Sequence, residues 1–136
     1  MSDYRNLKVW HRALDFITRI YDLTSSLPAH EIYGLTSQIR RAAISIALNI
    51  SEGATSGYDV EYSRFIRIAI RSANEVATGF EIAKRLKYCT DKEANDKIAE
   101  ADEIASMLQG LGKSLSKLSE SSEPYTLKVD GRTTRD

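Results

Sequence analysis

Apolar residues recur at intervals of three and four along four stretches of this chain, and no stretch alternates in the manner of a half-buried strand. That period leaves little room for anything but helices. In the first stretch Leu7, Trp10, Leu14, Ile17 and Tyr21 form one row and Val9, Ala13, Phe16 and Ile20 the adjoining one. Lys8, Arg12, Asp15, Arg19 and Asp22 take the other side. Asn6 is the expected N-cap, and "TSSLP" ends the helix near residue 25, because the residue before a proline is pushed out of the helical region. A second helix is expected over 35–53, closed by "EGATSG". The third, over 58–88, places Tyr62, Phe65, Ala69, Ser72, Val76, Phe80 and Ala83 on one face. The fourth, over 91–119, opens with "TDKE", a capping box of Thr90 and Glu93, and carries Ala94, Ile98, Ala101, Ala105, Leu108, Leu111 and Leu115.

Four long amphipathic helices with short connections predict an all-α fold, an antiparallel up-down-up-down four-helix bundle. It should form a single domain over residues 1–119, with Trp10, Ile17, Ile39, Ile46, Phe65, Val76, Ile98 and Leu108 buried. Residues 120–136, "ESSEPYTLKVDGRTTRD", lose the period and read as a flexible C-terminal tail. A chain of 136 residues can bury such a core without metal or disulfide staples. Its single cysteine, Cys89, excludes an internal disulfide and suits a reducing compartment. The N-terminal "MSDYRNLKVW" is too polar for a signal peptide, and no apolar run approaches the roughly 20 residues that span a bilayer. The expectation is a soluble cytoplasmic protein that does not enter membranes.

The second helix is unusual. After Arg40 and Arg41, ten residues pass without a formal charge before Glu52. On a helical wheel Leu35, Ile39, Ala42, Ala43, Ile46 and Ile50 cluster on one side, as a core face should. Gln38, Arg41, Ser45, Asn49 and Glu52 make a polar row on a second side. Ile44 and Leu48 fall nearly opposite the core, beside Ser37, Arg40 and Ser51. Single exposed aliphatics are ordinary. A face that also lacks lysine and glutamate suggests more: cover by the protein's own bundle on one side and by a neighbouring subunit on another.

Nothing in the sequence assembles a catalytic constellation, and a non-enzymatic protein without metal or cofactor is expected. His11 and His30, a surface position and a loop position, have no cysteine, histidine or carboxylate at metal-ligand spacing. Cys89 has no histidine near it in sequence and reads as an inert thiol. Gly110 and Gly112 sit inside a helical pattern, where close helix packing is the favoured explanation. Glu52 and Glu75 have nothing to make them a working carboxylate pair.

One charge pattern remains. Arg64, Arg67, Arg71 and Arg85 share a face of the third helix with Asn74 and Thr78, over about 32 Å at 1.5 Å per residue. Such a row could meet several phosphates, with Arg40 and Arg41 extending it from the second helix. It could instead pair with Asp96, Glu100 and Glu103, which line one face of the fourth helix, within the chain or across a subunit boundary. It could also be a solvated face. Nineteen basic and nineteen acidic residues cancel, so any nucleic-acid binding must come from such a local patch.

"IYGLTSQIRRAAISIALNISEGA" and "RFIRIAIRSANEVATGFEIAKRLKY" strongly resemble the bacterial four-helix-bundle proteins encoded in 23S rRNA intervening sequences, and "LKVWHRALDFITRIYDLT" is similar to that family's first helix. The resemblance covers roughly Leu7 to Leu118. Arg71 stands where the family commonly has glycine, and Lys87 where "LGY" is usual. The resemblance implies a four-helix bundle and a homo-oligomer, a cyclic pentamer as the first expectation. It also implies kinship with an accessory protein of diversity-generating retroelements, a pentameric barrel that binds nucleic acid and a reverse transcriptase. Two functions follow: an RNA- or DNA-binding adaptor using Arg64, Arg67, Arg71, Arg85, Arg40 and Arg41, or a structural or protein-binding assembly that never touches nucleic acid. In either, Ile44, Leu48, Asp96, Glu100 and Glu103 are the candidate subunit contacts.

Overall fold

The computed structural model describes residues 3–122, with side chains through Lys117. Its elements are a 3-10 turn at Tyr4–Asn6, α1 (Lys8–Thr24), a second 3-10 turn at Ala29–Glu31, α2 (Leu35–Ala54), α3 (Asp59–Arg85) and α4 (Asp91–Ser122). Among the described residues there is no strand, and the protein is an all-α four-helix bundle. The α4 helix runs three residues into the segment expected to be a tail, and 123–136 lie outside the described residues.

Contacts between neighbouring helices run in opposite order along the two chains. A Cβ on Gly79 would meet Ile39, Ser72 bonds Ser45, and a Cβ on Gly53 would meet Tyr62 and Phe65, which sets α3 antiparallel to α2. Lys84 reaches Asn95 while Gly112 faces Ile66, which does the same for α3 and α4. Arg12 pairs with Glu103 and Arg19 with Glu100, so α1 opposes α4. The fully buried large side chains come from all four helices: Phe16 and Ile20, Ile39, Ile46 and Ile50, Ile66, Val76 and Phe80, Ile104 and Leu108.

Two of the helices approach closely at glycines. A Cβ on Gly79 would stand 2.6 Å from Ile39 Cγ1, and one on Gly53 would stand 2.9 Å from Phe65 Cβ. Both sites lie where α2 meets α3. Gly110 and Gly112, expected to serve close packing, do not: Gly110 has nothing within 4 Å and Gly112 only an ordinary contact of 3.8 Å to Ile66.

Helix ends follow local chemistry. The capping box forms at α4, where Glu93 N–H donates to Thr90 Oγ1 at 3.0 Å and Thr90 N–H to Glu93 Oε1 at 2.9 Å. The α1 N-cap is Leu7, not Asn6, because Asn6 closes the preceding 3-10 turn. At α2 the N-cap position is Gly34, which has no side chain to offer, and Glu31 Oε1 accepts the Leu35 N–H at 2.9 Å instead. Glu31 Oε2 also accepts the Tyr88 hydroxyl at 2.8 Å. The Leu35 amide, then the Tyr88 hydroxyl, hold the Glu31 carboxyl below the usual glutamate range. A Cβ on Gly34 would lie 2.5 Å from Glu31 Oε1, so the bare backbone is what lets this carboxylate in.

The third helix was expected to reach residue 88 and ends at Arg85. Its end is a Schellman turn: Tyr88 N–H donates to Ala83 O at 2.9 Å and Lys87 N–H to Lys84 O at 3.1 Å. The turn puts Lys87 at φ 60°, the left-handed region that favours glycine. Glycine at 87 should therefore stabilise the fold by about 0.5–1 kcal/mol, the relieved strain exceeding the extra freedom glycine gives the unfolded chain. Urea unfolding of Lys87→Gly should show a higher midpoint at unchanged slope. A midpoint at or below wild type would mean that the lysine is not strained.

Candidate anion-binding and assembly faces

The α3 arginines lie where the wheel put them, but they do not act as one set. Arg67, Arg71 and Arg85 are exposed, and among the described residues none of them forms an ion pair. Arg64 is different. Its Nε donates to Glu61 Oε1 at 2.7 Å, and its guanidinium stacks over Phe65 with Cζ 4.8 Å from the ring centroid. The hydrogen bond from Arg64 lowers the Glu61 pKa. Arg64 is thus already half engaged at the start of the row.

The two α2 arginines also separate. Arg40 lies across α1: Nε donates to Thr24 Oγ1 at 2.8 Å, Nη2 lies 3.4 Å from Tyr21 O, and Cζ sits 4.4 Å over the Tyr21 ring. That is a brace between helices, and it removes Arg40 from the phosphate-binding candidates. Arg41 is exposed and makes no ion pair among the described residues.

The acids of α4 do not face the α3 row. Glu103 Oε1 accepts from Arg12 Nη2 at 2.7 Å, Glu100 pairs with Arg19, and Asp96 pairs with Lys92 at 2.9 Å within its own helix. The hydrogen bond from Arg12, then its charge, hold the Glu103 carboxyl below the ordinary range. These bridges fasten α4 to α1, where ion pairs this exposed define register more than they add stability. The sequence holds a signal for this role of Arg12 and Arg19, whose spacing of seven puts them on one face opposite two acids three apart.

The charge-poor α2 has a packing explanation on two sides. Toward α3, Asn49 Nδ2 donates to Ser45 O at 2.8 Å and Oγ at 2.9 Å, and Ser72 Oγ donates to Ser45 Oγ at 2.8 Å. The middle of the polar row is therefore helix-to-helix contact, and only Gln38, Arg41 and Glu52 in it are exposed. Toward α1, Arg40 is the brace already described. The remaining face carries Ile44, half-buried, and Leu48, 56% exposed.

Among the described residues no reactive centre emerges elsewhere. Burial, then Glu93 and Asp91, push the Cys89 thiol up, away from the reactive thiolate. Among the described residues no group of three or more His, Cys, Asp or Glu is placed to hold a metal ion. Among them too, no helix is long and apolar enough to cross a membrane.

Residues 5–110 match the 23S rRNA-intervening sequence proteins. The chain belongs to that family. A solved structure similar to this intervening-sequence protein comes from Bacteroides thetaiotaomicron, described as a protein of unknown function from the S23 ribosomal protein family. It superposes with a TM-score of 0.72 at 26% identity, covering 77% of this chain and 98% of the other. No curated protein matches. In the intervening-sequence protein, Lys87 occupies the left-handed position of the α3–α4 turn, a conformation that glycine adopts without strain.

Proposed function

We propose that this intervening-sequence protein is a non-enzymatic, homo-oligomeric binding protein whose α3 face engages the phosphates of RNA or DNA. One observation carries the reading: Glu100 and Glu103 are taken up by α1, which leaves Arg67, Arg71 and Arg85 exposed and without acidic partners among the described residues. Arg67 and Arg71 are like charges one helical turn apart, an arrangement that disfavours the isolated helix and is relieved by an anion. Arg41 extends this set, and Arg64 joins it only by releasing Glu61. Repetition around an oligomer lets weak phosphate contacts add through effective concentration, which a chain of zero net charge needs. Among the described residues no base-reading element is present, so binding should tolerate any sequence. Fluorescence anisotropy with a labelled RNA at 50 and 200 mM salt tests this, because phosphate contacts release counterions and give a steep salt dependence. Binding that ignores salt would overturn it.

The assembly reading rests on a separate observation, an exposed Leu48 beside a half-buried Ile44 on a helix face short of charge. We place these two side chains in the subunit contact, with five subunits as the first expectation. Light scattering at tens of micromolar should find an oligomer for wild type and a monomer for the variant carrying Ile44→Glu and Leu48→Glu. A monomeric wild type removes this part of the proposal.

A further inference from the structure

A cleft of about 390 Å³ opens between the 3-10 turn at residues 4–6, the first turns of α1, and α4. Arg5, Lys8, His11 and Arg12 line it, Met107 supplies an apolar wall from α4, and Asp15 is the one carboxylate among the lining residues. Within the lining three permanent cations face one acid; Asp3 and Glu103, just outside it, offset the charge of Arg5 and Arg12, and Lys8 forms no ion pair among the described residues. The two arginines are also tethered. Asp3 Oδ1 lies 3.3 Å from Arg5 Nη1, and Glu103 Oε1 accepts from Arg12 Nη2 at 2.7 Å; neither carboxylate lines the cleft. Each arginine is thus fixed from outside and keeps further N–H donors for an occupant. His11 is fixed likewise, its Nε2 lying 2.8 Å from Arg5 O. No acidic residue stands in the first turn of α1 to compete with an anion.

The geometry points to a binding site for a small phosphate monoester of nucleotide size. The phosphate would sit among Arg5, Lys8 and Arg12, where a guanidinium meets two phosphate oxygens at once and a lysine supplies a point charge. The organic part would lie toward Met107, whose unbranched, polarisable side chain adapts to flat or irregular groups. The volume falls within the range of ordinary ligand sites and exceeds what a bare phosphate needs. Lining this site are residues of α1, the turn before it and α4, none of them from the α3 row, so it stands independently of the nucleic-acid reading.

Trp10, the one tryptophan, provides the readout, since its ring centroid lies 5.2 Å from that of His11. AMP, inorganic phosphate and adenosine are each titrated into the full-length protein while tryptophan fluorescence and amide chemical shifts are followed. A saturable response to AMP is expected, a weaker one to phosphate and none to adenosine. The variant carrying Arg5→Glu and Lys8→Glu, both exposed positions, should keep its helical circular dichroism and bind AMP at least about tenfold more weakly. The Arg67→Glu and Arg71→Glu variant should bind AMP as wild type does, which separates this site from the α3 face. No saturable response to AMP, or undiminished affinity in the Arg5 and Lys8 variant, would falsify the proposal. Equal affinity for phosphate and AMP would overturn a ligand of nucleotide size.

Discussion

Replacing Ile46 with alanine should lower folding stability by about 2–5 kcal/mol, the range for removing a large aliphatic side chain from a packed core. Ile46 has no accessible surface, and its α2 neighbours on the same face, Ile39, Ala42, Ala43 and Ile50, are buried as well. The cavity would sit between two close approaches of α2 and α3. Gly79 and Gly53 already bring α3 against this face of α2, so the helices cannot move much closer to refill it. The cost should therefore lie toward the upper half of that range. Urea unfolding at fixed protein concentration should show a midpoint lower by about 1–2 M with little change in slope. A loss of under about half a kcal/mol would mean that the side chain is not packed as described.

Changing Arg67 and Arg71 to glutamate should abolish RNA binding and leave the oligomer intact. Both side chains are exposed and unpaired among the described residues, so reversing them breaks no bond inside the protein. For every phosphate of a single strand that is no longer neutralised, the plot of log affinity against log salt should become shallower by about 0.7. Reversal goes further than neutralisation, because it puts carboxylates where the backbone passes. The three outcomes separate three roles for the row. Abolished binding with the oligomer preserved supports the phosphate face, dissociation of the subunits assigns the arginines to assembly, and no effect on either leaves a solvated surface.

The helices could be read from the chain because their causes are local. Apolar spacing, the Thr90–Glu93 box and the break at Pro28 act within a few residues, and the observed boundaries lie close to those expected. What lies under another element was harder to see. Ile39, Ile46, Val76 and Leu108 are buried as expected, whereas Trp10, Ile17, Phe65 and Ile98 are only partly covered. On α1 the adjoining row of Val9, Ala13, Phe16 and Ile20 is the buried one, and on α4 the unremarked Ile104 is fully enclosed. A wheel gives the direction of an apolar stripe but not which neighbour covers each edge. The same gap hid the charge pairing. The alignment of Glu100 and Glu103 was legible, but the identity of the facing helix was not, and it proved to be α1. The expectation for Gly110 and Gly112 failed for a related reason, since close approach is a property of two helices and a sequence pattern describes one.

The Glu31 carboxylate that caps α2 and receives Tyr88 also couples separate positions at this end of the bundle. A Cβ at position 34 would press on Glu31 Oε1, the mobile end of that side chain, so the carboxylate would have to swing out of its capping position. The expected cost of a side chain at position 34 is therefore the cap it displaces rather than a fixed clash. Loss of Glu31 would remove the same cap and leave the Tyr88 hydroxyl with His30 Nε2 at 3.4 Å. Positions 31, 34 and 88 are thus linked energetically through one carboxylate.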